Sequence, residues 1–225
     1  GAVFCCSMLF LSGQPRRYGA HHSKRGPEIQ CRRGRMGTSH RAASRYNRPH
    51  MAIDLYWGSG SAYCWRVLLA LEHKRLEYRS HCLKFDQQEH KAPQMLAMNP
   101  RGQLPVLRDG DYVVFESLAI LYYLDRQYPE PAIFGLSAAE GGVIMRVICE
   151  YQAYAEPSLM QLVGNLLDRR EPVLGAGLAE AMSEAMHRVA GEARTIERRL
   201  AQSDWVVGEN FSAADMVIYP DIRLL

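Results

Sequence analysis

A hydroxyl and a thiol stand three residues apart in Ser61-Ala62-Tyr63-Cys64, just after the glycine–serine turn Gly58-Ser59-Gly60. Thiols at both places would make C-x-x-C, the pattern of a thioredoxin-like dithiol. With serine first there is no disulfide to form. The hydroxyl is left to cap a helix, or to bond a sulfur that a ligand brings. Ser59 offers the same group two residues earlier, and a shift of register in the turn would exchange the two serines. Cys64, one turn into the following helix, reads most simply as a small buried residue.

Further along, Pro105 in Gln103-Leu104-Pro105-Val106-Leu107 opens a strand, where its missing donor is tolerated. A cis Leu104–Pro105 bond would turn the backbone N–H and C=O of Leu104 outward, toward a peptide-like ligand. Glu116 and Ser117 stand at a helix start, where unpaired N–H groups and the positive end of the dipole attract a carboxylate. An ordinary cap is the plainer reading. The six cysteines (5, 6, 31, 64, 82 and 149) show neither metal-ligand spacing nor a dense disulfide framework, which points to a reducing compartment and no metal. Arg194, Arg198 and Arg199 read as a solvated helix face. Tyr151 and Tyr154 either face a second pocket or pack a core.

The elements that must position these groups follow from periodicity. Residues 53–57 predict a buried strand, 62–74 a helix with Val67, Leu68 and Leu71 on one side, and 76–81 a second strand. A short helical piece falls near 95–98. Asn99-Pro100-Arg101-Gly102-Gln103 is a turn, 105–115 a hairpin with Asp109-Gly110 at its tip, and 116–128 a helix. The order β-α-β, loop, β-β-α makes a small mixed sheet of roughly 80 residues. A proline-bearing linker over 128–137 leads into helices over 138–168 and 178–201, with a break at 171–177 between them. Ser212 and Asp215 form a capping box. The helix it starts carries Met216, Val217, Ile218, Leu224 and Leu225 and needs neighbours to cover it, so the sequence is expected to be truncated at this end.

Charge is unevenly spread over the 225 residues. Residues 1–50 hold ten of the 27 Lys and Arg and one of the 24 acids, leaving 17 basic against 23 acidic residues, a net of −6, in the remainder. That balance gives nucleic-acid binding by the body no support. The stretch 14–50 has almost no periodic apolar residues and is expected to be disordered. An Arg-rich, acid-poor leader resembles an organellar transit peptide. The absence of Met at residue 1 and the abrupt change at Met51 instead favour upstream sequence translated ahead of the true start, and a basic nucleic-acid tail is a third option. No apolar run approaches the roughly 20 residues that a spanning helix needs, so no membrane is expected.

Taken together, the strand leading to Ser61-x-x-Cys64, then NPRGQLPVL, then ESLAILYYL, then a helical region with FSAAD, resembles a cytosolic glutathione transferase from Met51 to Leu225. The serine placement, with CWRV after it, is similar to the theta, zeta and related serine-type classes. The resemblance implies an α+β thioredoxin-like domain at 51–130 that binds glutathione as substrate or cofactor. An all-α domain at 138–225 would supply the pocket for an electrophilic small molecule. Ser61 would donate its hydroxyl to the glutathione sulfur. The main chain of Leu104, beside a cis Pro105, would pair with the cysteinyl unit, and Glu116, Ser117 and Gln103 would hold the γ-glutamyl end. His90 falls where theta-like members contact the glycyl carboxylate, although a surface histidine without a ligand role fits it as well. The implied assembly is a homodimer, and the implied role is cytoplasmic detoxification, or an organellar one if residues 1–50 are a transit peptide. Two other readings stay open: a glutathione-dependent isomerase of the zeta type, and a non-catalytic binding or docking protein of the same fold.

Overall fold

The computed structural model describes residues 53–167 and 176–224. The expected leader at 1–50, most of the expected break at 171–177, and Leu225 lie outside them. Four strands, β1 (Ile53–Gly58), β2 (Tyr78–Leu83), β3 (Val106–Asp109) and β4 (Tyr112–Phe115), form one sheet in the order β2-β1-β3-β4. β1 and β2 run parallel, which requires a crossover, and α1 (Ala62–His73) supplies it. β3 pairs antiparallel with both β1 and β4, and the β3–β4 hairpin turns at Gly110, whose φ of 61° suits glycine. A 3-10 turn (Glu89–Lys91) and α2 (Pro93–Met98) bridge β2 to β3, and α3 (Ser117–Gln127) follows β4. This is the expected thioredoxin-like arrangement.

Alternation along the strands decides what each face covers. Ile53, Leu55 and Leu107 point into the main core with Val67 and Leu71 of α1 and Ile120, Leu121 and Leu124 of α3. Val106 points the other way, into a smaller cluster with Cys64, Met95 of α2 and Leu104. The main core continues without interruption into the helical half, α4 (Ala138–Tyr154), α5 (Glu156–Leu167), α6 (Ala176–Leu200) and α7 (Ala213–Ile222), through Ile144, Ile148, Met216 and Ile218. α1 is therefore the shared wall, covered by the sheet and α3 on one side and by α7 on the other.

Two elements differ from expectation, each for a local reason. β2 begins at residue 78, not 76, because α1 closes with a two-bond C-cap: Leu76 N–H bonds the Leu71 carbonyl and Arg75 N–H the Glu72 carbonyl, each at 3.0 Å. Arg75 occupies the left-handed position (φ 53°) where glycine usually signals this ending, and Leu76 packs on the core. The helix expected over 138–168 is two helices, because Pro157 has no N–H to continue the ladder and sits in the first turn of α5.

Polar groups tie the halves together. Lys74 Nζ donates to the carbonyls of Tyr128 (2.8 Å) and Pro131 (2.6 Å) and lies 3.6 Å from Asp125, fixing the linker to the end of α1. The capping box at α7 is present, and Asp215 also accepts from Val206 N–H at 2.8 Å. Arg66 of α1 is fully buried, and its Nη2 meets Glu156 at 3.0 Å and Asp221 at 2.7 Å. The Tyr151 hydroxyl donates to the same Asp221 oxygen at 2.9 Å, which makes Tyr151 a core residue. Among the described residues, no helix is long and apolar enough to cross a membrane, and no group of His, Cys, Asp and Glu is arranged to hold a metal.

Candidate active site

One cleft of about 520 Å³ opens where α1, the loop after β2, the turn before β3 and the start of α3 meet. All seven residues singled out from the sequence line it: Ser61, His90, Gln103, Leu104, Pro105, Glu116 and Ser117. They come from four separate stretches of chain, brought together by the sheet.

Ser61 is the N-cap of α1. Its backbone is extended, and its Oγ accepts from Cys64 N–H at 3.4 Å. A hydroxyl that accepts in this way keeps its own proton for donation elsewhere. Ser59 is exposed in the preceding turn and does not line the cleft. Cys64 lies behind Ser61, fully buried, where its Sγ accepts from Gly58 N–H at 3.4 Å. Burial pushes its thiol up, outweighing the hydrogen bonds that oppose the shift. It is a packed core thiol, not an attacking one. A Cβ on Gly58, at the end of β1, would meet the Phe85 ring at 2.2 Å, so that ring would have to shift.

The opposite wall begins with the turn over residues 99–103. Asn99 is buried: its Nδ2 donates to the Gln103 carbonyl at 2.9 Å, and its Oδ1 accepts from Arg101 N–H at 3.1 Å. Gly102 has φ 56°, and a Cβ on it would press on Lys91 and Leu96 at 2.7 and 2.9 Å. The turn delivers the chain to Leu104–Pro105, whose peptide bond is cis. Among the described residues no protein group bonds the backbone N–H or C=O of Leu104. Glu116 follows β4 with φ 69°, a strained backbone for a residue with a side chain, and no side chain caps α3. The first N–H groups of α3 are thus left without intrahelical partners beside the cleft.

Three further lining residues carried no local signal. Lys91 projects from the 3-10 turn and donates to the Arg101 carbonyl at 3.0 Å, next to His90, whose Nδ1 is buried without a partner and whose ring meets Phe85 edge-on at 5.1 Å. Tyr63, in the first turn of α1, packs its ring over the Arg66 guanidinium at 4.5 Å. Burial, with the Glu156 carboxylate nearby, pushes its phenol up to about 12. Tyr154 is exposed and, like Tyr151, is not part of the lining.

A cleft with a hydroxyl at one helix start, a carboxylate at another and an unpaired stretch of backbone between them suits a peptide-like ligand carrying a sulfur and charged ends. Comparison with known proteins agrees. Residues 60–127 match the family model described as glutathione S-transferase, N-terminal domain. The chain is 33% identical over 180 residues to glutathione S-transferase A of Pleuronectes platessa, covering 77% of each. It is 29% identical over 186 residues to a maleylacetoacetate isomerase of Pseudomonas aeruginosa, covering 76% of this chain and 80% of that one. Among solved structures, a glutathione S-transferase from the Antarctic clam Laternula elliptica aligns with a TM-score of 0.68 at 30% identity, over 77% of each chain. With sheet order, cleft and sequence in agreement, the chain belongs to the glutathione S-transferase family.

Proposed function

We propose that this protein is a glutathione transferase that holds the tripeptide's thiol as a thiolate at the start of α1 and adds it to an electrophilic small molecule. The observation that carries this reading is the convergence of Ser61, Leu104, Glu116 and Ser117 on one cleft in a chain of this family. Ser61 donates its O–H to the sulfur. A free thiol titrates near about 8.5, so little of it is thiolate at neutral pH. A hydroxyl donor and a helix N-terminus both favour the anion, and each unit of lowering represents about 1.4 kcal/mol. The Leu104 main chain pairs with the cysteinyl unit. Glu116 faces the γ-glutamyl ammonium, the N–H groups at the start of α3 take its carboxylate, and Gln103 lies at the same end. His90, with Lys91 beside it, receives the glycyl carboxylate.

In the reaction a sulfur lone pair forms the new C–S bond. A leaving group departs with its electron pair, or a conjugated acceptor takes up a proton at carbon. The protein supplies position and anion stabilisation. Ser61→Ala is expected to lower turnover on an aryl halide about ten-fold or more while retention on immobilised glutathione persists. Unchanged turnover would move the role to Ser59 or away from serine altogether.

A second reading, a glutathione-dependent isomerase, is favoured by the Pseudomonas relative. Isomerisation of a conjugated acid without consumption of glutathione would support it. Retention on glutathione without either reaction would support a binding protein. We further propose a homodimer acting in cytoplasmic detoxification, since the free Cys64, Cys82 and Cys149 suit a reducing compartment. Light scattering on the intact protein reads its assembly state.

A further inference from the structure

We propose that the open edge of β2 is a docking surface for an extended segment of a partner protein that carries carboxylates at alternate positions and adds a strand to the sheet. The surface lies apart from the cleft, whose lining includes none of its residues, and the proposal does not draw on the transferase reading.

β2 pairs with β1 and, standing first in the order β2-β1-β3-β4, meets no strand on its other side among the described residues. The backbone of residues 79–83 makes no hydrogen bond outside the ladder with β1. Such an edge is a template for another strand, and natural sheets blunt it with a bulge, a proline, a charge or a covering segment. β2 contains no proline and keeps an unbroken register with β1 from Tyr78 to Leu83. What it carries is charge, which keeps out a like edge and admits an opposite one.

Alternation puts Arg79 and His81 on the face of Asp54 and Tyr56, their partners across the ladder. Arg108 of β3 stands opposite Asp54 on the other side. Asp54 is buried, and its carboxylate accepts from Arg79 Nη2 and Arg108 Nη2, each at 2.8 Å, and meets His81 Nε2 at 2.7 Å. One carboxylate thus stands against two guanidiniums, in a body whose net charge is otherwise negative. Asp111 also acts on Arg108, so Arg79, on the edge strand itself, is the less compensated of the two. Its side chain is 61% exposed and bonds Asp54 through Nη2, leaving Nε and Nη1 for a second carboxylate. The His81 ring is steadied by stacking on Tyr56 at 4.6 Å. With both side chains already held, little rotamer freedom is lost on docking.

A strand added at about 4.8 Å from β2 brings its alternate side chains beside Arg79 and His81. Acids at those positions meet the uncompensated charge. A second copy of β2 would set its own cationic face alongside, and residues 1–50, with ten basic residues against one acid, carry the wrong sign.

The test uses the full chain and a fluorescein-labelled peptide, Thr-Glu-Val-Glu-Val-Glu-Thr. Anisotropy should show saturable binding, about ten-fold or more tighter than for the peptide with lysine in place of glutamate. Hydrogen exchange should slow at the amides of β2. Arg79→Gln, which keeps most of the side chain and removes the charge, should weaken binding about three-fold or more, as for one partly exposed ion pair. Arg126→Gln, at a comparably exposed arginine on α3, should leave it unchanged. Two peptides N-methylated on alternate residues keep every charge, but the one methylated on the set facing β2 cannot complete the ladder. One of the two should lose binding and the other keep it, a result that does not depend on how a protein variant folds. No saturable binding, equal binding by both methylated peptides, protection away from β2, or indifference to Arg79→Gln would overturn the proposal. So would association of the chain with itself through β2, which would make the occupant a second copy.

Discussion

At the scale of single residues, Ser61 and Cys64 stand three positions apart in different surroundings. Ser61 caps α1 at the cleft, whereas Cys64, one turn deeper, is sealed in the core with its thiol raised by burial. Alkylation followed by peptide mass analysis should therefore modify the exposed Cys82 and Cys149 well before Cys64, and early labelling of Cys64 would contradict the packing described. Lys91 is the residue-scale addition that sequence reading did not reach. Removing its charge with Lys91→Ala should raise KM for glutathione by about ten-fold with little change in kcat, as expected when one charged contact shared by substrate and transition state is lost. A fall in kcat alone would assign Lys91 elsewhere. Ser61, Leu104–Pro105 and Glu116–Ser117 carried local signals, a serine before a helix, a proline opening a strand and an acid at a helix start, whereas His90 and Gln103 came only with the family resemblance. Lys91 carried no such signal, because it reaches the cleft only through the left-handed Gln88 (φ 53°) and the close approach of Gly102. Tyr63 was hidden for a similar reason, since its backing by Arg66 depends on carboxylates 90 and 155 residues further along the chain.

Among the elements, helix ends and one strand carry the instructive chemistry. The ending of α1 at Arg75 and the break at Pro157 show how far periodicity reaches. It found the helices, but a left-handed arginine carries no glycine flag, and one proline inside an apolar run is easily absorbed into a longer helix. The capping box at α7 was readable because both of its residues lie within one turn. Ser212→Ala should cost about 1 kcal/mol in urea unfolding. Asp215→Ala should cost more, about 2–3 kcal/mol, because it strips the buried N–H groups of Val206 and Ser212 of their acceptor. Equal costs would contradict that accounting. In β1, Asp54 is buried yet stays ionised. Burial alone would raise its pKa, but hydrogen bonds from His81, Arg79 and Arg108 outweigh it and hold the carboxyl well below the usual range. Its contribution to stability is therefore complete above the unfolded value of about 4 and is lost as pH falls below that. Asp54→Asn should be destabilising at neutral pH and should flatten the acid limb of the stability curve. An unchanged acid limb would show that Asp54 is not the group being titrated.

For the whole molecule, the consequence of one uninterrupted core is that the sheet and the helical half should not come apart separately. α1 packs against the sheet and α3 on one side and against α7 on the other, within one continuous core. Urea unfolding followed by helical circular dichroism and by the fluorescence of Trp57, Trp65 and Trp205 should give coincident midpoints, and two separated transitions would contradict the shared core. The two halves could be read from the change in periodicity near residue 130, whereas their common core could not, because it joins residues from Ile53 to Ile218. The cleft depends on the same assembly, since it draws on α1, the turn before β3 and the start of α3 at once. The most direct test of the account is a titration of the thiol of glutathione bound to the intact protein, read by thiolate absorbance. The account predicts a pKa clearly below about 8.5 that rises by at least about one unit in Ser61→Ala. A bound thiol that titrates like the free one, or is indifferent to Ser61, would contradict it.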